Sequence, residues 1–264
     1  MPIPIFQLDA FATRRFSGNP AAVVVLPDFP PESVMQAVAA ENNLSETAFV
    51  VLGEAGDRIR WFTPTTEVPL CGHATLASAA VIMERLKPTV TEVVFHSMSG
   101  PLPVRRTDTG YVMNFPARPT EVVEPPPAVL QSLGLRRNEV VEVLTDPVNY
   151  VVRVRAAEAV RVLAPDLAAV ARLERLGVIV TAVGDRGYDF ISRYFAPRKG
   201  IPEDPVTGGA HCTLAPYWAA QLGRTTMRAF QASPRGGEIR CRVLEDRVEL
   251  EGACVFYLEG QIEI

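Results

Sequence analysis

Residues 60–77, RWFTPTTEVPLCGHATLA, return in altered form at 193–215 as RYFAPRKGIPEDPVTGGAHCTLA. Arg60, Phe62 and Pro64 recur as Arg193, Phe195 and Pro197, and His73, Thr75, Leu76 and Ala77 recur as His211, Thr213, Leu214 and Ala215. The second copy is longer between its two conserved blocks, as expected of a duplication that later gained residues. A repeat separated by about half of the 264 residues implies two similar domains, and two such domains facing one another make a cleft at their junction.

Each copy feeds a stretch without Asp, Glu, Lys or Arg: Val68 to Met83 and Pro205 to Gly223. Neither reads as a membrane span, because both carry Gly, Pro and His and the first falls short of the roughly 20 apolar residues a span needs. A helix that is apolar on all sides in a globular chain is a buried helix. The sequence therefore predicts one buried helix per half, at about 73–86 and 209–222. Pro216 should cost about 3 kcal/mol in the middle of the second, so a kink or a restart is expected there.

Around these helices lie strand-length runs separated by Gly, Pro and Asp: Ile3 to Asp9, Ala21 to Leu26, Thr47 to Leu52, Arg58 to Phe62, Glu92 to His96, Gly100 to Arg105 and Tyr111 to Phe115. The second half offers Glu139 to Leu144, Tyr150 to Val154, Val178 to Ala182, Tyr188 to Tyr194, Glu238 to Leu244, Arg247 to Leu250 and Ala253 to Leu258. Outer helices are expected at 30–41, with Pro31 in the first turn, and at 166–175. The proline-rich stretch 116–128 reads as a linker. The fold class is α+β: two pseudo-symmetric domains, 1–118 and 119–264, each a curved antiparallel-rich sheet or barrel wrapped around a central buried helix. The last strand, 253–264, is free to pair with the first domain. Eight regular strand-helix alternations, the mark of a TIM barrel, are absent.

Composition narrows the function. With 48% apolar and 21% charged residues the chain is globular, and a formal net charge of −4 with scattered Lys and Arg argues against a nucleic-acid partner. The first residues lack the pattern of a signal peptide, so the cytoplasm is the default location, and no membrane is expected as a partner. Cys71, Cys212, Cys241 and Cys254 lack CxxC spacing and are expected as reduced thiols. There is no GxSxG, P-loop or GxGxxG.

The chemistry-bearing residues gather at the repeat. CGHAT (71–75) and TGGAH (207–211) are glycine turns opening onto buried helices, and free N–H groups at such starts attract a carboxylate. The alternative is that the glycines only let helices pack closely. His73 sits where the positive helix end favours neutral imidazole, fitting either a hydrogen-bond donor or proton relay, or a structural role. His211 shares that ambiguity, while His96 reads as an ordinary strand residue. Asp204, before Pro205, either initiates a turn or offers a carboxylate to the cleft. Glu46, in NNLSETAFVV, is either a solvated loop acid or a general base whose pKa is raised by burial. A metal set of Cys71, His73, His211 and Cys212 lacks the short paired spacings of structural zinc, and no metal is assigned.

FSGNPAAVVVL (16–26), NNLSETAFV (42–50), FTPTTEVPLCGHATLA (62–77) and EDPVTGGAH (203–211) together resemble the PhzF-like, phenazine-biosynthesis-type isomerases, which share the diaminopimelate epimerase and proline racemase fold. The resemblance spans essentially the whole chain. It implies a cofactor-free isomerase, commonly a homodimer, acting on a small carboxylate-bearing substrate. Glu46 matches the family acid/base, His73 the GHAT histidine and Asp204 the third cleft residue. Asn19, Ser45, Gly72, Gly208 and Gly209 fall at substrate-binding positions. One carboxyl that removes and returns a proton suits an allylic shift, whereas stereochemical inversion needs two opposed groups. Two departures stand out: Gly209 replaces a serine, and Cys71 adds a thiol as in proline racemases. They leave open a binding protein without turnover and an epimerase or racemase using Cys71.

Overall fold

The computed structural model of the chain describes residues 2–54 and 56–264. It is a mixed α/β fold with two compact units, one holding the residues up to Asn114 together with Glu251–Ile264, the other Phe115–Leu250.

In the first unit, Ile3–Ala10 pairs antiparallel with Asn19–Leu26 on one side and with Cys254–Ile262 on the other. Asn19–Leu26 runs parallel to Glu46–Val51, with Ala21 opposite Glu46. A parallel pair needs a crossover; here it is the outer helix Glu32–Asn42, which buries Met35 and Ala39 against Ile5, Val24, Phe49 and Phe62. Glu46–Val51 then pairs antiparallel with Asp57–Phe62, and Asp57–Phe62 parallel with Glu92–Ser97. The second crossover is the helix Gly72–Val81. Its residues from His73 onward are all buried, and it packs on the first three of these strands. Ser78 and Thr75 hydroxyls donate to the carbonyls of Ala74 and Cys71, so these two buried hydroxyls are satisfied within the helix.

The second unit repeats this order. Asn149–Val154 lies parallel to Gly177–Val183 across the helices Ala157–Arg161 and Leu167–Ala171. Gly177–Val183 is antiparallel to Phe190–Ala196, which in turn runs parallel to Thr226–Gln231 across the helix Gly208–Leu222. The likeness between the units extends to side chains. In the first unit Arg60 forks onto Glu67 at 2.7 and 2.6 Å and its guanidinium lies over Phe62. In the second Arg193 forks onto Glu203 at 2.6 and 2.8 Å and lies over Phe195.

The strand pairings are mostly antiparallel, as expected, with parallel pairs where each unit's two helical crossovers fall. Several expectations are corrected. Pro31 caps the first outer helix from outside rather than sitting in its first turn. The second outer helix is two short pieces, the later one capped by Asp166, whose carboxylate accepts the Ala169 N–H. The stretch 116–128 is not a free linker: Glu121–Val123 is a strand paired with Val143–Thr145, and Pro127 already begins the helix Pro127–Ser132. The first buried helix ends its regular turns at Val81 and continues as a π-helical turn, Ile82–Leu86. The second runs unbroken through Pro216. Proline frees the carbonyl four residues earlier, that of Cys212, and this oxygen accepts the Arg118 N–H at 3.0 Å instead. Among the described residues no helix is long and apolar enough to cross a membrane.

Candidate active site

The parallel pairing puts Asn19 and Glu46 at the first positions of two strands on which the helix Gly72–Val81 packs. Cys71 is the extended N-cap, half-buried Gly72 the first helical residue and His73 the second. This local geometry brings four buried side chains together. His73 Nε2 lies 3.3 Å from Glu46 Oε2, and its Nδ1 lies 3.2 Å from Asn19 Nδ2 and 3.5 Å from Cys71 Sγ. Glu46 is only 8% exposed and His73 5%. The solvated-loop reading of Glu46 is therefore excluded.

Burial pulls the His73 pKa down to about 3, outweighing a backbone hydrogen bond to Pro20 that acts the other way. The imidazole is thus neutral near pH 7, and its contact with Glu46 is not an ion pair despite the short distance. Nε2 makes no well-aligned hydrogen bond, so a small rotation would be needed for a proton to pass. Ser45, partly exposed, immediately precedes Glu46.

The second helix start is built differently. Asp204 ends the short strand Ile201–Asp204, half-buried, and its Oδ2 accepts the Thr207 hydroxyl at 2.6 Å. Gln231 ties the turn together: its Oε1 accepts the Thr207 N–H, and its Nε2 donates to the Asp204 carbonyl. Thr207 is the N-cap, Gly208 the first helical residue and Gly209 the second. A side chain added at Gly208 or Gly209 would meet nothing closer than 3.6 Å, so close packing does not require these glycines. Arg118 approaches the Gly209 carbonyl with Nη1 at 3.5 Å.

His211 is not the structural counterpart of His73. The second helix starts three residues before its histidine, the first only one. His211 is fully buried, its Nδ1 is 2.8 Å from the Thr207 carbonyl, and burial lowers its pKa to about 4. Cys212 points into the protein, where burial raises its thiol to about 11, and burial pushes Cys241 and Cys254 up as well. Among the described residues the donors that stand together are Glu46, Cys71 and His73, in place of the Cys71, His73, His211 and Cys212 set read from sequence. His96 is an exposed strand residue, as expected.

Sequence reading missed Thr207, Gln231 and Arg118. Thr207 carried a signal, a hydroxyl residue directly before a glycine-led helix. Gln231 and Arg118 carried none, since only the fold brings them to the turn.

A family model described as phenazine biosynthesis-like protein matches residues 8–260. Two Pseudomonas aeruginosa proteins, each named an uncharacterized isomerase, are 46% and 47% identical over all of both chains. A crystal structure of a phenazine biosynthesis protein of the PhzF family from Enterococcus faecalis superposes with a TM-score of 0.96 at 42% identity, covering 100% of each chain. A hydroxyproline epimerase from Agrobacterium vitis shares the fold alone, with a TM-score of 0.60 at 11% identity over 99% of this chain and 92% of that one. With its motifs, its fold and these likenesses agreeing along its whole length, the chain belongs to the phenazine biosynthesis-like (PhzC-PhzF) family.

Proposed function

We propose that the protein is a cofactor-independent isomerase that shifts a proton on a small carboxylate-bearing substrate, amino-acid-like or cyclic. Glu46 is the general acid/base, His73 and Asp204 assist, and Asn19, Ser45, Gly72, Gly208 and Gly209 hold the substrate. The observation that carries this reading is the buried contact of Glu46 with a neutral His73 at 3.3 Å. A carboxyl shielded from water beside a neutral imidazole can take a proton from carbon and return it, while the imidazole donates rather than repels. The relatives named isomerases support the reaction class. The same reading takes the chain as two duplicated domains, 1–118 and 119–264, with 253–264 completing the first, and as a cytoplasmic homodimer.

A second reading, an epimerase or racemase using Cys71, draws on the thiol 3.5 Å from His73. Inversion needs a second, opposed group, and the other helix is capped by Thr207 while Cys212 is buried inside it. Proton-shift isomerisation by one carboxyl therefore has the better support.

The test is deuterium incorporation from solvent into carbon positions of a panel of amino-acid-like and cyclic carboxylates. Exchange should occur with the wild type and vanish in Glu46→Gln. Unimpaired exchange in the variant sinks the role of Glu46.

A further inference from the structure

Glu46, Cys71 and His73 offer a carboxylate oxygen, a sulfur and a ring nitrogen that all lie within 4.8 Å of one another, and all three residues are buried. Some point therefore lies within about 2.8 Å of all three donors, against about 2.0–2.3 Å in zinc sites, so a closure of roughly half an ångström or slightly more would complete coordination. The 3.3 Å between His73 Nε2 and Glu46 Oε2 is already about the edge of a tetrahedron with ligands at about 2.0 Å. A second observation points the same way: His73 Nε2 is buried and makes no well-aligned hydrogen bond, its neighbour Glu46 Oε2 lying 3.3 Å away. Asn19 stands on the other side of the ring, its amide Nδ2 3.2 Å from Nδ1.

We propose that Glu46, Cys71 and His73 bind a thiophilic divalent cation of the Zn2+ class, which occupies the acid/base pair and holds the site inactive. Binding replaces the Cys71 S–H bond by a sulfur–metal bond and releases that proton to solvent. A dication held by one carboxylate, one thiolate and one neutral imidazole leaves no net charge on the buried cluster, which removes the main cost of burying it. Three protein ligands leave a fourth position open. The binding rests on the three donors alone. Its inhibitory consequence rests on the reading of Glu46 as acid/base.

The test uses the full chain, stripped by a chelator, and the metal alone. Calorimetry with Zn2+ should give one ion per chain with proton release, and Co2+ should produce a thiolate-to-metal charge-transfer band. Cys71→Ala and His73→Ala should weaken binding by at least the roughly tenfold to hundredfold that even an outer contact supplies, and Zn2+ should protect wild-type Cys71 from iodoacetamide. The protection experiment needs no variant to fold. Absence of stoichiometric binding, a cobalt spectrum without the sulfur band, or alkylation unaffected by Zn2+ overturns the site. Stoichiometric binding that leaves solvent exchange untouched upholds the site and counts against Glu46 as the base; lack of binding with exchange abolished in Glu46→Gln does the reverse.

Discussion

Arg118 donates its backbone N–H to the carbonyl of Cys212 at 3.0 Å, the very oxygen that Pro216 leaves without its helical donor. A proline inside a helix normally costs about 3 kcal/mol, partly through that lost bond. Here the bond is replaced, so Pro216→Ala should change stability by well under that amount, about 1 kcal/mol or less in urea unfolding. A gain near 3 kcal/mol would mean that Arg118 does not compensate.

Acid should destabilise the protein through its buried histidines. Both have folded pKa values depressed by burial, His73 to about 3 and His211 to about 4, below the ordinary value of 6.5. Below pH 6.5 the unfolded chain takes up protons that the native state refuses, so this stability is present above pH 6.5 and falls as pH drops toward about 4 and then 3. Between pH 6.5 and 5 the loss is roughly 2 kcal/mol per histidine. Urea unfolding at pH 7 and pH 5 measures it, and NMR of the imidazole protons should find both rings neutral at pH 5.

The two Arg–Glu forks should differ in worth. Arg193 is 8% exposed and also donates to the carbonyls of Val160, Arg161 and Leu163, whereas Arg60 is more open. Lysine keeps the charge but cannot fork. Arg193→Lys should cost about 3 kcal/mol or more, near the cost of breaking a buried pair, and Arg60→Lys about 1 kcal/mol or less. Equal losses in denaturant unfolding would contradict this.

Glu46→Gln should separate stability from activity. It removes a buried carboxylate that the fold must desolvate, so the melting temperature should hold or rise while solvent exchange falls by about 10²–10⁴-fold or more. A variant that unfolds would show that the carboxylate is structural.

Gly209→Ser should fold. The new side chain would meet the Arg118 guanidinium at an ordinary contact of 3.7 Å, and replacing a helical glycine commonly gains a few tenths of a kcal/mol. Thermal melting checks it; a loss above about 2 kcal/mol would restore the packing role of the glycine.

The two buried helices were legible because long uncharged runs have one explanation in a globular chain, and the repeat marked where each began. The passage through Pro216 was not, because its compensating donor, Arg118, is distant in sequence. The segment 116–128 misled for a related reason: its prolines signal irregularity, yet residues 121–123 find a partner strand at 143–145. Thr226–Gln231 alternates buried and exposed residues and forms a hairpin with Gly237–Leu244, yet was missed. At the site, Glu46 and His73 were legible from motif resemblance. Their 3.3 Å approach was not, because it depends on a strand and a helix packing together.

The pairing of Ile3–Ala10 with Cys254–Ile262 sets an order on biosynthesis. As the chain leaves the ribosome, one edge of the strand Ile3–Ala10 waits, unpaired, for a partner more than 240 residues downstream, Cys254–Ile262. All of Phe115–Leu250 emerges in between. The nascent first unit therefore exposes a hydrogen-bonding edge while the whole second unit is made, the condition under which unpaired strands aggregate. Termination before Cys254–Ile262 would leave that edge open for good.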